Sequence, residues 1–315
     1  MPTSITKYAF IFPGQGSQTV GMGRSLSQSF QIAKDTFDQA DEELGFSLSK
    51  LAWQGTEEEI NDTINTQPAL LAHSTAALRV LKTVRPDIQP HYVAGHSMGE
   101  FSALVSARSL PYLDAINLVR TRGKLMKAAG QVSPGGMAAI LGLPIDTLEQ
   151  ICLDSSTDSE SVQVANDNCP GQVVISGSGH ALERAMHLAK EAGARKVVRL
   201  KVSIAAHSVL MNQAQSEFTL AVEDAPINDP AIPIIGNVSA KVLNKQQQIR
   251  LDLQAQLHSR VRWTESIQFM LSRGITTFFE IGSGAVLTGL LRRIDRKSTG
   301  IPLGAPEDFA KLADK

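Results

Sequence analysis

Gly95-His96-Ser97-Met98-Gly99 constrains this chain more than any other segment. It is a G-x-S-x-G string that follows a short apolar run, Tyr92–Ala94, and precedes a helical stretch, Glu100–Ser106. A serine on a tight strand-to-helix turn needs glycine neighbours, because the flanking backbone passes too close for a Cβ. The helix that follows points its unpaired N–H groups back at the serine. Met98 comes next in the chain, and its N–H is set to donate to a developing oxyanion. An ordinary βα turn is the plainer reading of such a string; the strand before it and the helix after it favour a serine nucleophile.

The rest of the chain alternates strand and helix periods, which predicts an α/β fold with a mostly parallel sheet. Tyr8–Phe12 reads as a buried strand ending at Pro13-Gly14, and Ser29–Leu44, Gln67–Leu81 and Tyr112–Ala129 read as helices. The middle has its own order: strand Met137–Leu143, helix Ile145–Leu153, strands Val162–Ala165 and Gln172–Ser176, helix Ala181–Ala192, strand Lys196–Val202. Asn166–Pro170 reads as a turn and Ser155–Ser161 as a surface loop. That βαββαβ succession is the ferredoxin-like unit. The expected organisation is therefore a large α/β-hydrolase-like domain, residues 1–130 and 203–315, interrupted by a small ferredoxin-like subdomain, residues 131–202. A cleft between the two pieces is the expected place for a small-molecule site.

Charge and composition remove several function classes. The 315 residues carry 30 Lys+Arg against 31 Asp+Glu, a formal net charge of -1, so no general basic face for nucleic acid is expected. The longest apolar runs, Ala9–Phe12 and Met137–Leu143, are far short of the ~18 residues of a membrane span. With no signal-peptide pattern after Lys7 and only two cysteines, Cys152 and Cys169, a cytoplasmic protein without membrane partners is expected. Gly14-Gln15-Gly16 and Gly282-Ser283-Gly284 each follow a strand, but Thr19 and Leu287 stand where a dinucleotide fingerprint needs glycine. His and Cys lack metal-ligand spacing, so no metal is expected.

A serine nucleophile needs a base, and the chain has seven histidines. His207 differs from the rest: it follows Ile204-Ala205-Ala206 and opens Ser208-Val209-Leu210-Met211, with small residues that leave room for a ligand. No Asp or Glu takes the position of a third member, and a backbone carbonyl can orient the ring instead. Plotted at ~100° per residue, Asn117, Arg120, Lys124 and Lys127 share one side of their helix while Arg122 falls on the apolar side. A guanidinium there is either paired in a structural ion pair, snorkels out, or waits for a substrate carboxylate.

Phe12-Pro13-Gly14-Gln15-Gly16-Ser17-Gln18, Gly95–Glu100 and Arg122-Gly123-Lys124 occur in this order, followed by Asn166–Val174, His207 and Glu280–Leu287. As a set these segments resemble the malonyl-CoA:acyl carrier protein transacylases of fatty acid synthesis, from about Ala9 to Ile294; the acyltransferases of polyketide synthases share them. The resemblance implies a malonyl group carried from coenzyme A to an acyl carrier protein on Ser97, with His207 as the base. It implies an oxyanion hole from the N–H groups of Gln15 and Met98, Arg122 on the free carboxylate, and the main-chain carbonyl of Gln256 orienting His207. Coenzyme A would enter as part of the substrate, with no tightly bound cofactor.

Some positions depart from the family pattern. Ala205-Ala206 replaces a common Pro-Ser, Ser283 and Ala285 replace Pro and Lys, and Arg260 stands where Pro is common. The small residues before His207 leave space for an α-substituted malonyl group, so a trans-acting polyketide acyltransferase is the alternative. A serine esterase or thioesterase and an idle docking module rank behind these. The acidic carrier is expected on a basic patch, with Arg195, Lys196 and Arg293 as candidates beside Arg292, Arg296 and Lys297; a solvated charge face is the plainer reading.

Overall fold

The computed structural model describes residues 7–202 and 204–313; the ends of the expected large domain, 1–6 and 314–315, and residue 203 lie outside the described residues. Ten strands follow one another among these: β1 Tyr8–Phe12, β2 Pro90–Gly95, β3 Gly135–Leu141, β4 Val162–Cys169, β5 Gln172–Ser178, β6 Lys196–Arg199, β7 Ile234–Ile235, β8 Val242–Leu243, β9 Thr277–Ile281 and β10 Thr299–Leu303. Six of them form one sheet in the order β10-β9-β1-β2-β7-β8. All its pairings are parallel except β7 with β8.

Residues Ala9 to Phe12 are all buried, so β1 reads as a continuous apolar run, as a central parallel strand should. Alternation still sorts its side chains. Phe10 and Phe12 pack with Leu70, Leu104 and Phe279 on one face, and Ala9 and Ile11 with Ile267, Phe278 and Leu291 on the other. From β1 the chain crosses to β2 on one side, whereas β9 leads to β10 on the other. The C-terminal ends of β1 and β9 thus flank a topological switch point, where α/β sheets bind ligands.

β3 to β6 make a separate antiparallel sheet, order β4-β5-β3-β6, the strand order of a ferredoxin-like unit. Its helices Ile145–Ser155 and Gly179–Glu191 cover one face through Leu148, Ile151, Leu182 and Ala185. The other face presents Met137, Ala165 and Val174, against which Ala206 packs, and so abuts the chain that carries His207.

Several expected bounds shift by a few residues, such as the strand Lys196–Val202, which ends at Arg199, and two expected elements differ in kind. Asn166–Pro170 is not a turn: β4 continues to Cys169 through two register shifts, and the turn is Pro170-Gly171. The polar residues stay in the strand because its tail also pairs with the large domain: Asp167 N–H donates to Val261 O (2.9 Å), and Val261 N–H to Ala165 O (2.8 Å). The expected Ser29–Leu44 helix is two helices, Arg24–Ser29 and Gln31–Leu44, separated by an extended Phe30.

Candidate active site

β2 ends at Gly95, and the helix Gly99–Ser106 starts four residues later. A Cβ on Gly95 would lie 1.9 Å from the Gly99 carbonyl carbon, so the turn closes only with glycine there. Ser97 sits at the apex with φ of 51°, in the left-handed region that ordinary residues avoid. Asn237 holds it there: Oδ1 accepts the Ser97 N–H (2.7 Å) and Nδ2 donates to Gly95 O (2.7 Å). The N–H of Met98 has no acceptor among the described residues.

The loop after β1 packs directly on this turn. A Cβ on Gly14 would lie 2.2 Å from His96 O, and this close approach brings Gln15 beside the serine turn. Among the described residues the Gln15 N–H likewise has no acceptor, and Thr63 Oγ1 donates to its side chain (3.1 Å). The late glycine loop serves the fold instead. Glu280 Oε1 and Oε2 accept from the N–H groups of Leu287 (2.9 Å) and Thr288 (2.6 Å), occupying the helix N-terminus a dinucleotide phosphate would need. Ser283 Oγ donates to Ser17 O (2.6 Å) and ties that loop to the first.

His207 reaches the serine from the segment just before the short helix Val209–Met211, with its own backbone at φ 58°. Its Nε2 is 2.8 Å from Ser97 Oγ. On the far side of the ring, Nδ1 lies 2.9 Å from Gln256 O and 3.1 Å from Ser259 O. Carbonyls only accept, so the proton is on Nδ1, and Nε2 is left to accept from the hydroxyl. Two carbonyls thus stand where a hydrolase triad has a carboxylate. Gln163 Nε2 from β4 donates to the carbonyls of His207 (3.1 Å) and His258 (3.0 Å), fastening both loops.

Burial, and then the nearby positive charge of Arg122, push the His207 ring down to about 3. The imidazole is therefore neutral across the physiological range. If His207 is the base, kcat/KM should stay level from pH 8 down to about 5, since the free enzyme's base sets its acid limb. A pH-rate profile for malonyl-CoA breaking near 6.5 would contradict this.

Arg122 lies on the helix Tyr112–Val132 and is 1% exposed. Among the described residues no carboxylate is within ion-pair distance of it, so the structural ion pair is absent. Its partners are neutral: Nη1 donates to Gln67 Oε1 (2.9 Å), and Nη2 to Gln256 Oε1 (2.8 Å) and Ser97 Oγ (3.3 Å). Nε has no partner among the described residues, and burial lowers the guanidinium to about 10. A cation held by amides beside a serine hydroxyl is ready for an anionic substrate group.

No local pattern in the sequence marks Gln67, Asn237, Ser259, Glu100 or the Gln256 side chain. Asn168, read as part of a turn, accepts through Oδ1 from His96 Nε2 (2.8 Å) at the tail of β4. The basic candidates are exposed, and none has an ion-pair partner among the described residues. Gly142 packs against Arg195 and donates to Gly171 O (2.9 Å), while Arg293 Nη1 donates to Gln172 Oε1. Arg195 is thus near the Pro170-Gly171 turn through Gly142, and Arg293 contacts Gln172, the residue after that turn. Among the described residues no cluster of His, Cys, Asp and Glu could hold a metal ion.

The acyl transferase domain model matches residues 9–302. The chain belongs to the acyl transferase domain family. Within that family it is 44% identical over 303 residues to a malonyl CoA-acyl carrier protein transacylase of Bacillus subtilis, covering 96% of this chain and 95% of the relative. It is 46% identical over 288 residues to that of Haemophilus influenzae, covering 91% and 92%. Among solved structures, the transacylase of Coxiella burnetii superposes with a TM-score of 0.95 at 38% identity, covering 98% of this chain and 97% of the other. A malonyl-transacylase in complex with a type II PKS acyl-carrier protein matches with a TM-score of 0.95 at 38% identity, covering 98% and 99%. As an acyl transferase, the chain has an α/β fold carrying a second, antiparallel sheet, as its sequence pattern predicted.

Proposed function

We propose that this chain transfers a malonyl group from coenzyme A to the phosphopantetheine thiol of an acyl carrier protein. One observation carries the reading: Ser97 Oγ lies 2.8 Å from the base-competent nitrogen of His207 and 3.3 Å from Nη2 of the buried Arg122. Nucleophile, base and carboxylate holder converge on one oxygen. The names of the relatives give the substrate pair.

The chemistry runs in two mirrored halves. Ser97 Oγ attacks the thioester carbonyl while its proton passes to His207 Nε2. The oxyanion forms within reach of the Gln15 and Met98 N–H groups, then collapses and expels the coenzyme A sulfur, which takes the proton from His207. In the second half His207 removes the carrier thiol's proton, and the thiolate attacks the malonyl ester. Ser97 leaves with that proton. One thioester replaces another, so no energy source or bound cofactor is required, and coenzyme A enters only as substrate.

Intact-protein mass spectrometry tests the reading. Incubation with malonyl-CoA should give a malonyl adduct that moves to the carrier when carrier is added. An adduct lost to water equally fast with and without carrier would make the chain a hydrolase. The relative complexed with a PKS carrier supports a second reading, in which the same chemistry serves a polyketide carrier. The half-buried Ala206 keeps an α-substituted malonyl group within that reading. The free, buried cysteines support a cytoplasmic setting, and among the described residues no helix is long and apolar enough to cross a membrane.

The exposed Arg195, Lys196 and Arg293 are the proposed landing site for an acidic carrier. Reversing charge with Arg195→Glu and Arg293→Glu should lower carrier transfer at least about tenfold at low ionic strength, with the loss shrinking as salt is added. Steady-state kinetics with varied carrier would read this; unchanged transfer would move docking elsewhere.

A further inference from the structure

We propose that Glu100, acting through the side-chain amide of Gln256, is a positioning residue that fixes Arg122 without forming an ion pair with it. This inference rests on the malonyl reading above and deepens it by assigning what keeps the carboxylate holder selective.

The geometry is a chain of single contacts. Arg122 can only donate, so the oxygen of the Gln256 amide must face it, as the 2.8 Å contact from Nη2 has it. The amide nitrogen then points the other way, where it donates to Glu100 Oε2 and to Ser97 O (3.2 Å). Every atom of the amide finds a partner of the right sense, and the reverse orientation would set donor against donor. Glu100 is fully buried three residues past Ser97, and its Oε1 has no partner within the described residues.

Asp252 completes the arrangement. It lies one helical turn before Gln256 on the helix Gln246–Gln256, so both side chains share a face. Its carboxylate accepts from Val238 N–H (3.2 Å), Ser239 N–H (3.3 Å) and Ser239 Oγ (3.2 Å), and it lies near enough to Glu100 for two negative charges there to repel. Three donors favour the charge on Asp252, so of the two acids Glu100 is the one that holds a proton. Burial, with Asp252 beside it, raises Glu100 well above the usual carboxylate range. The groups facing Glu100 are thus an anion, an amide and, beyond the amide, the Arg122 cation.

The consequence is selectivity. A substrate carboxylate must displace whatever already holds the guanidinium. Displacing a neutral amide oxygen favours the incoming anion, because charge-assisted hydrogen bonds are roughly twice as strong as neutral ones. A resident carboxylate on Arg122 would cancel that advantage. With Glu100 neutral and one amide away, the guanidinium keeps its charge and its aim.

The test is the ratio of kcat/KM for malonyl-CoA to that for acetyl-CoA, compared among variants that form the wild-type malonyl adduct. Glu100→Gln reproduces the neutral acid, since its oxygen accepts from Gln256 and the side chain carries no charge; the ratio should stay within about twofold. Glu100→Ala should lower the ratio at least about tenfold, mainly through malonyl KM. Gln256→Glu places a carboxylate on Arg122 directly and should lower the ratio at least as far. If Glu100→Gln and Glu100→Ala lower the ratio equally, the role is ionic and the proposal fails. An unchanged ratio in Glu100→Ala or in Gln256→Glu also overturns it, since a merely structural role slows both substrates alike. Absence of a malonyl adduct on the wild-type protein would instead sink the malonyl reading itself.

Discussion

Ser97→Ala is expected to eliminate the covalent malonyl adduct and to lower transfer to the carrier by on the order of 10⁴-fold or more. The size follows from the neighbourhood. Within the site only Ser97 Oγ contacts the neutral imidazole nitrogen, and the next hydroxyl, Ser208 Oγ, is turned away to donate to Ala205 O (2.7 Å). The substitution leaves the scaffold standing. The Ser97 N–H bond to Asn237 is made by backbone, and alanine inherits the same φ of 51°. Arg122 keeps Gln67 and Gln256, and His207 keeps its two carbonyls. Intact mass spectrometry reads the adduct and thermal unfolding checks the fold. An adduct that persists on a folded variant would place the nucleophile elsewhere.

What could be read from the sequence divides by the kind of signal each residue carries. The Ser97 turn was legible because its glycines, its strand and its helix agree with one another, and local agreement of this kind survives folding. Arg122 was legible because a charge on an apolar helix face is an anomaly at 100° per residue. Gln67 and Gln256 were not, since a buried amide breaks the same pattern far less. Asn237 stands 140 positions from the serine it holds, and no local pattern joins them. Asn166–Cys169 was misread for a physical reason: Asn, Asp, Pro and Gly are turn formers, and only the pairing with Val261 keeps them in a strand. The missing acid partner was informative, because two carbonyls occupy its place. Glu100, by contrast, lies inside the motif itself, yet its role depends on Asp252 and Gln256 from a helix that starts 146 positions later.

Arg122→Ala is expected to reduce the malonyl-to-acetyl preference about 10³-fold, with malonyl turnover falling far more than acetyl turnover. For malonyl, the substitution deletes the cation beside Ser97 and obliges the free carboxylate to enter a dry site unpaired, a penalty of several kcal/mol, roughly 3–5. For acetyl the balance reverses in part. The wild-type guanidinium is 1% exposed with one nitrogen unpartnered among the described residues, and an acetyl group leaves it without an anion after excluding water. Removing it relieves that cost, while Gln67 Oε1 and Gln256 Oε1 lose their donor. Arg122→Lys should not restore the preference, because an ammonium cannot span both amide oxygens and a carboxylate in one plane. His207 adds a second readout: without the Arg122 charge beside it, the imidazole should protonate at a higher pH, so the acid limb of the acetyl profile should move up. Competition between malonyl-CoA and acetyl-CoA over a range of pH measures both effects. Equal losses for the two acyl groups would remove Arg122 from the carboxylate and leave it a structural cation.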